Sequence, residues 1–158
     1  ATAFKGSFKN ITIFAVLLLI LELLWGRASL VLFALFYEGG IPDGADVLAS
    51  FLKLENATFV IAYLLVGGFF ASLVFITAVV AIPMLLDRPV DAITAGLTSF
   101  RVCLAHPLPL ALWGAAIVLL TLLAMLPAFL GLIVVGPWLG HATWHAYREL
   151  VPRVEGGE

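Results

Sequence analysis

From Pro107 to Tyr147 the chain is apolar for about 40 residues, twice the ~20 that one helix needs to cross a hydrocarbon core of roughly 30 Å. Such a run must fold back, and "AMLPAFLG", with Pro127 and Gly131, supplies the turn. The expectation is a third span over about 108–126 and a fourth over about 129–147. Two earlier blocks are also long enough to cross. "NITIFAVLLLILELLWGRASLVLFALFY", residues 10–37, has length to spare and should tilt. "TFVIAYLLVGGFFASLVFITAVVAIPMLL", residues 58–86, ends near Pro83, which should kink or break its helix.

The connections differ in character. "EGGIPDGADVLASFLKLENA" is polar, acidic and rich in turn residues, with "ADVLASFLKL" able to form one short surface helix. In "DRPVDAITAGLTSFRVCLAH", Val90, Ile93, Leu97, Phe100 and Leu104 recur at steps of three and four, while Asp91, Thr94, Thr98 and Arg101 fall mostly elsewhere. This pattern predicts an amphipathic helix over about 88–105, lying in the membrane interface. Asp87 is placed to cap it, and Pro89 to sit in its first turn. The fold class expected is all-α, a polytopic transmembrane helical bundle of four spans plus one interfacial helix. Residues 1–158 make a single membrane domain.

Composition agrees. The chain is 63% hydrophobic and 11% charged, with mean hydropathy +1.16, against about a quarter charged in soluble proteins. A net charge of -2 without a basic run excludes a nucleic-acid partner. The single Cys103 makes no internal disulfide, and no paired Cys/His metal spacing occurs. "ATAFKGSFKN" lacks the apolar core of a signal peptide and does not open on Met, so the chain is expected to be part of a longer protein. Basic residues in short loops collect on the cytoplasmic side. Lys5, Lys9, Arg88, Arg101, Arg148 and Arg153 share one side of the four-span topology, and Lys53 lies on the other. Both ends are therefore expected in the cytoplasm.

Few residues could carry chemistry. Glu22 and Arg27 fall inside the first span, where an unpaired charge costs a few kcal/mol or more. Five residues apart, they sit about 140° apart around a helix, so they read as a structural pair, as charges facing another helix, or as part of an ion pathway. Gly67 with Ala71, Gly68 with Ser72, and Gly136 with Gly140 repeat the small-xxx-small spacing that lets membrane helices approach closely. His141 and His145, at i and i+4, are spaced to share a metal as in HExxH, but "HATWH" has no Glu after its first histidine. They are weak metal candidates, with His106 as a conceivable third ligand. Trp144, His145, Tyr147 and Arg148 equally fit the belt of residues where a span meets the headgroups. No nucleophile–base pair, phosphate loop or carboxylate pair is present, so catalysis is not expected. No cofactor is expected beyond bound lipid.

The stretches "PMLLDRPVDA", "HPLPLALW" and "GHATWHAYREL", and more weakly "WGRASLVLFALF", resemble an uncharacterised family of bacterial inner-membrane proteins, domain of unknown function 2189. Members usually carry further apolar spans upstream, so the resemblance implies a C-terminal portion with about two helices absent. Some members are labelled as similar to a cytochrome c oxidase subunit, although three histidines fall short of an oxidase's haem and copper ligands. The family has no established site to transfer. The resulting expectation is a non-catalytic subunit of the bacterial inner membrane, packing against and stabilising or assembling a larger bioenergetic complex, respiratory or photosynthetic. The alternatives are a small-solute or ion transporter or channel component, and a haem- or metal-handling protein using His141 and His145.

Overall fold

The computed structural model describes residues 2–37, 43–45 and 57–151. In chain order they form α1 (Thr2–Phe36), α2 (Ala57–Ala78), α3 (Ala81–Asp87), α4 (Ala92–Ala105), α5 (Pro107–Met125) and α6 (Leu132–Leu150), with no strand among the described residues. The surface helix expected at "ADVLASFLKL" falls almost wholly outside the described residues, as do Lys53 and Arg153. Three stretches are long and apolar enough to cross a membrane: Phe8–Phe36, Ala57–Asp87 and Pro107–Met125. Helix α6 equals α5 in length, at 19 residues, but His141, His145, Arg148 and Glu149 dilute its C-terminal half.

Residues Phe14–Val74 form one compact unit. Within it the end of α1 meets the start of α2 through aromatic rings, with Phe59 fully buried among Phe33, Phe36, Tyr37 and Tyr63 at centroid distances from 5.1 to 5.7 Å. Trp25 stands edge-on to Tyr63, and the Ser29 hydroxyl donates to Tyr63 Oη at 3.3 Å. Rings at these separations add about 0.5–1.5 kcal/mol per pair beyond the area they bury. The face of α1 that does this work is Trp25, Ser29, Phe33 and Phe36, one stripe at steps of four and three.

Ala1–Ile13 with Phe75–Glu158 form the second unit. Here α3 packs on α4 and α6, and α5 packs on α4 and α6. The unit begins at a helix break. Pro83 has no N–H to offer the carbonyl of Val79, four residues back, and the helix opens at Val79–Val80 between α2 and α3. A side chain from α4 fills the gap: the Ser99 hydroxyl donates to Ile76 O at 2.7 Å and accepts from Val80 N at 3.2 Å. These are the two groups that a continuous helix would have joined directly. Ser99 is fully buried and Val80 is 1% exposed, so the Val80 N–H has no water as an alternative.

Helix α4 starts later than the sequence suggested, and its cap is Asp91 rather than Asp87. Arg88 precedes Pro89, which pushes it out of the helical region. It adopts φ -135, ψ 149, and Val90 N turns back onto Arg88 O at 2.9 Å. Asp91 then accepts from the backbone of Ile93 and Thr94 and from the Thr94 hydroxyl. The Thr94 hydroxyl, seconded by backbone donors, holds the Asp91 carboxyl below the usual carboxylate range. The cap is therefore at full strength at neutral pH and weakens only in acid.

The face that α4 turns inward consists of small residues, Ala92, Ala95, Ser99 and Cys103. The larger apolar residues on its other flank, Ile93, Leu97, Phe100 and Leu104, stay exposed at 45 to 68%. Small side chains let α4 come close enough for the Ser99 hydroxyl to reach the α2–α3 break. Asn10 of α1 donates to Val90 O at 3.0 Å, fastening the loop that precedes α4.

Helices α5 and α6 are joined through residues 126–131, where Ala128 and Phe129 take left-handed φ values of 49 and 66. Gly131 is required by proximity. A Cβ there would lie 2.6 Å from the carbonyl oxygen of Ala124 and 2.7 Å from its Cα, both backbone atoms that cannot swing away.

Ser99→Ala strands the buried Val80 N–H and the part-buried Ile76 carbonyl, and should lower unfolding free energy by about 1–3 kcal/mol, read from denaturation followed by circular dichroism in mild detergent. At the α5–α6 turn, Gly131→Ala should destabilise by about 1–3 kcal/mol through backbone overlap. Ala128→Gly should act in the opposite sense, stabilising by up to about 1 kcal/mol as the left-handed penalty disappears. Equal and same-signed shifts from the two turn variants would contradict this account.

Candidate functional site

The most connected polar cluster lies at the C-terminal ends of α3 and α6. Tyr147 enters it from α6, 1% exposed, and packs with Val80 and Met84 against Val79, Val90, Val102 and Val151. Its hydroxyl donates to Asp87 Oδ2 at 3.1 Å. Arg88 Nε lies 3.4 Å from the same carboxylate oxygen, Arg88 Nη2 donates to Val151 O at 2.6 Å, and its guanidinium carbon is 5.7 Å from the centroid of the Tyr147 ring.

The Asp87 side chain is 10% exposed and that of Arg88 22%, so the pair is shielded more than a surface salt bridge. Each partner answers another. Arg88 compensates the carboxylate, Asp87 accepts the phenol, and the guanidinium closes an orphan carbonyl just past the end of α6. Sequence reasoning used Arg88 only as a topological charge and Tyr147 as part of the interfacial belt. Sixty residues separate Asp87 from Tyr147, and no local pattern announces their meeting.

The candidates from the sequence lie elsewhere. His141 and His145 sit on one face of α6, both exposed, with ring centroids 5.8 Å apart. His106 is exposed at the joint between α4 and α5, where it ends one helix and precedes Pro107 of the next. Among the described residues no three His, Cys, Asp or Glu side chains gather into a metal-binding group, so His106 does not join the α6 pair.

Glu22 and Arg27 are both exposed on α1. Among the described residues the ion pair is the one between Asp87 and Arg88, and none joins Glu22 to Arg27. The small-residue faces divide. Gly67 is occupied from within its own unit, since a Cβ there would lie 3.6 Å from Trp25 Nε1. Among the described residues Gly68, Gly136 and Gly140 have nothing within 4 Å of that position. Ala71 and Ser72 are exposed, and the Ser72 hydroxyl turns back onto Gly68 O of its own helix at 2.7 Å.

The geometry defines an integral membrane protein built from helices, in which Ser99, Asp87, Arg88 and Tyr147 hold helices together. Nothing in this arrangement points to catalysis. The chain belongs to the family described as predicted integral membrane protein, DUF2189, whose model matches residues 1–87. That match ends at Asp87, so "HPLPLALW" and "GHATWHAYREL" lie beyond it. No curated protein and no solved structure matches the chain.

The cluster makes a graded prediction. Tyr147→Phe removes one hydrogen bond while Arg88 still compensates Asp87, and should cost about 0.5–1.5 kcal/mol. Tyr147→Ala also empties a buried ring site and should cost about 3–5 kcal/mol. Thermal unfolding of both variants in the same detergent checks the order. A phenylalanine variant as damaged as the alanine one would mean that the hydroxyl, not the ring, anchors α6.

Proposed function

We propose that this chain is a non-catalytic integral membrane subunit that packs against a larger complex and stabilises or assembles it. The observation that carries this reading is the pair of small-residue faces, Gly68–Ser72 on α2 and Gly136–Gly140 on α6, where a Cβ added at Gly68, Gly136 or Gly140 meets nothing within 4 Å among the described residues. Lipid tails gain little from such a face. A second helix gains close backbone approach, which is what drives association where no hydrophobic force separates helix from lipid.

In the same reading α6 is the fourth crossing, both described ends face the cytoplasm of a bacterial inner membrane, and α4 lies in the interface with its large apolar residues toward the acyl chains. The bioenergetic nature of the complex, respiratory or photosynthetic, is drawn from the resemblance of the sequence. Specific partner subunits and bound lipid would occupy the open faces.

Native gel migration of membranes solubilised in mild detergent tests the proposal. The chain should run with a larger complex of defined composition, and Gly140→Leu or Gly68→Leu should release it while leaving its helical content intact. Migration without other subunits, unchanged by either substitution, would overturn the reading.

A further inference from the structure

Glu22 and Arg27, in the apolar part of α1, take no part in the contacts that hold the helices together. Glu22 is fourteen residues from each end of the apolar stretch Phe8–Phe36, or about 21 Å along the axis at 1.5 Å per residue. A glutamate side chain cannot reach an interface from there. Arg27 is nine residues from the nearer end, at about 13 Å. Both are exposed and neither has a partner among the described residues. No residue in the most apolar 18-residue window of this helix is buried.

The spacing of these charges has a specific meaning. In two parallel helices packed in a left-handed seam, the positions just outside the seam pair across the interface, residue i of one helix with residue i+5 of the other. Glu22 and Arg27 are five apart. With Glu22 at position g and Arg27 at position e of the following repeat, the seam positions a and d become Val16, Leu19, Leu23, Gly26 and Leu30.

Each of those positions is open. Val16, Leu19, Leu23 and Leu30 are 48 to 61% exposed, and Gly26 has nothing within 4 Å of where a Cβ would stand. The g flank of this seam adjoins the stripe that α1 presents to α2, since Ser29 and Phe36 also fall at g, while Glu22, two turns nearer the N-terminus than Ser29, stays exposed. The seam ends where Phe33, the next d position, is already engaged by Phe59 and Tyr63.

From this geometry we infer that α1 is the interface of a parallel homodimer, in which Glu22 of each copy pairs with Arg27 of the other across a Val16–Leu19–Leu23–Gly26–Leu30 seam. Charge complementarity selects a second copy as the occupant. Two identical chains inserted the same way present parallel α1 helices, and twofold symmetry then forms both charge pairs at once. The 140° between the charges, which prevents them from meeting within one helix, sets them on the two flanks of the seam. Helices of membrane bundles cross at about +20°, as coiled coils do, and Gly26 in the seam permits close approach beside the pairs. Pairing also removes the cost of two isolated charges in hydrocarbon. The dimer stands whether or not the chain joins a larger complex.

Cysteine cross-linking of the full chain in native membranes tests this, with the buried Cys103 left in place. With copper–phenanthroline added as the oxidant, Leu23→Cys should give a disulfide dimer of twice the chain mass, since seam positions bring two Cα atoms close to the ~4.4–6.8 Å that a disulfide needs. Leu24→Cys, one residue away and off the seam, should give at least about tenfold less. In the Leu23→Cys background, Glu22→Arg or Arg27→Glu alone should reduce the dimer about tenfold, equivalent to ~1.4 kcal/mol, and the two together should restore it. Glu22→Gln, close in shape and without charge, should also weaken the dimer, and covers the case in which a charge reversal blocks insertion. No cross-link at Leu23, equal cross-linking at Leu24, a double reversal no better than the single ones, or cross-linking of Leu23 to a different protein would each overturn the inference.

Discussion

A single hydroxyl completes the helix that proline interrupts. Pro83 costs the chain one backbone hydrogen bond and opens the turn at Val79–Val80. In a bilayer no water can repair that opening, so a protein group has to. Ser99 does so from a neighbouring helix, giving its proton to Ile76 O and accepting one from Val80 N. The requirement propagates. For the hydroxyl to arrive, α4 must lie close to α2 and α3, which is why its inward face is Ala92, Ala95, Ser99 and Cys103. For α4 to begin where it does, Asp91 must cap it, and the chain before it must be turned by Pro89 and held by Asn10.

A second polar element governs the other end of α3. Asp87 and Arg88 close the short helix and receive Tyr147 from α6, so a segment of seven residues is tied at both ends by side chains of later helices. Such a segment would have no stability alone, because a helix so short cannot repay its nucleation. Its persistence rests on tertiary contacts. The contrast with Pro137 is instructive: that proline lies inside α6 and the helix continues through it, so a proline alone does not dictate a break.

Much of the architecture was legible in the sequence, because apolar length and turn residues act locally. The doubled apolar run after Pro107 divides at residues 126–131 into α5 and α6, and the second block breaks just before Pro83. Membership of an integral membrane family was legible as well. What escaped depends on long-range geometry. Ser99 looks like an ordinary polar position in an amphipathic helix until the α2–α3 break is placed beside it. The sequence points to Asp87 as the cap, and the conformation that Pro89 imposes on Arg88 moves the cap to Asp91. The Asp87–Tyr147 bond joins residues sixty apart. Of the candidate site residues, His141 and His145 do share a face, while His106 belongs to a different joint. The five-residue interval between Glu22 and Arg27 was visible from the start, but its sense depends on knowing which flank of α1 is already taken.

The inward face of α4 bears on how this protein can vary. A contact made of two alanines, a serine and a cysteine has almost no rotamer freedom, so it cannot absorb a larger neighbour by repacking, whereas Ile93, Leu97, Phe100 and Leu104 are exposed and leave room for another apolar shape. Tolerance to substitution along this helix therefore runs out of phase with hydropathy. The bulkiest positions are the freest to drift, and the plainest ones record the fold.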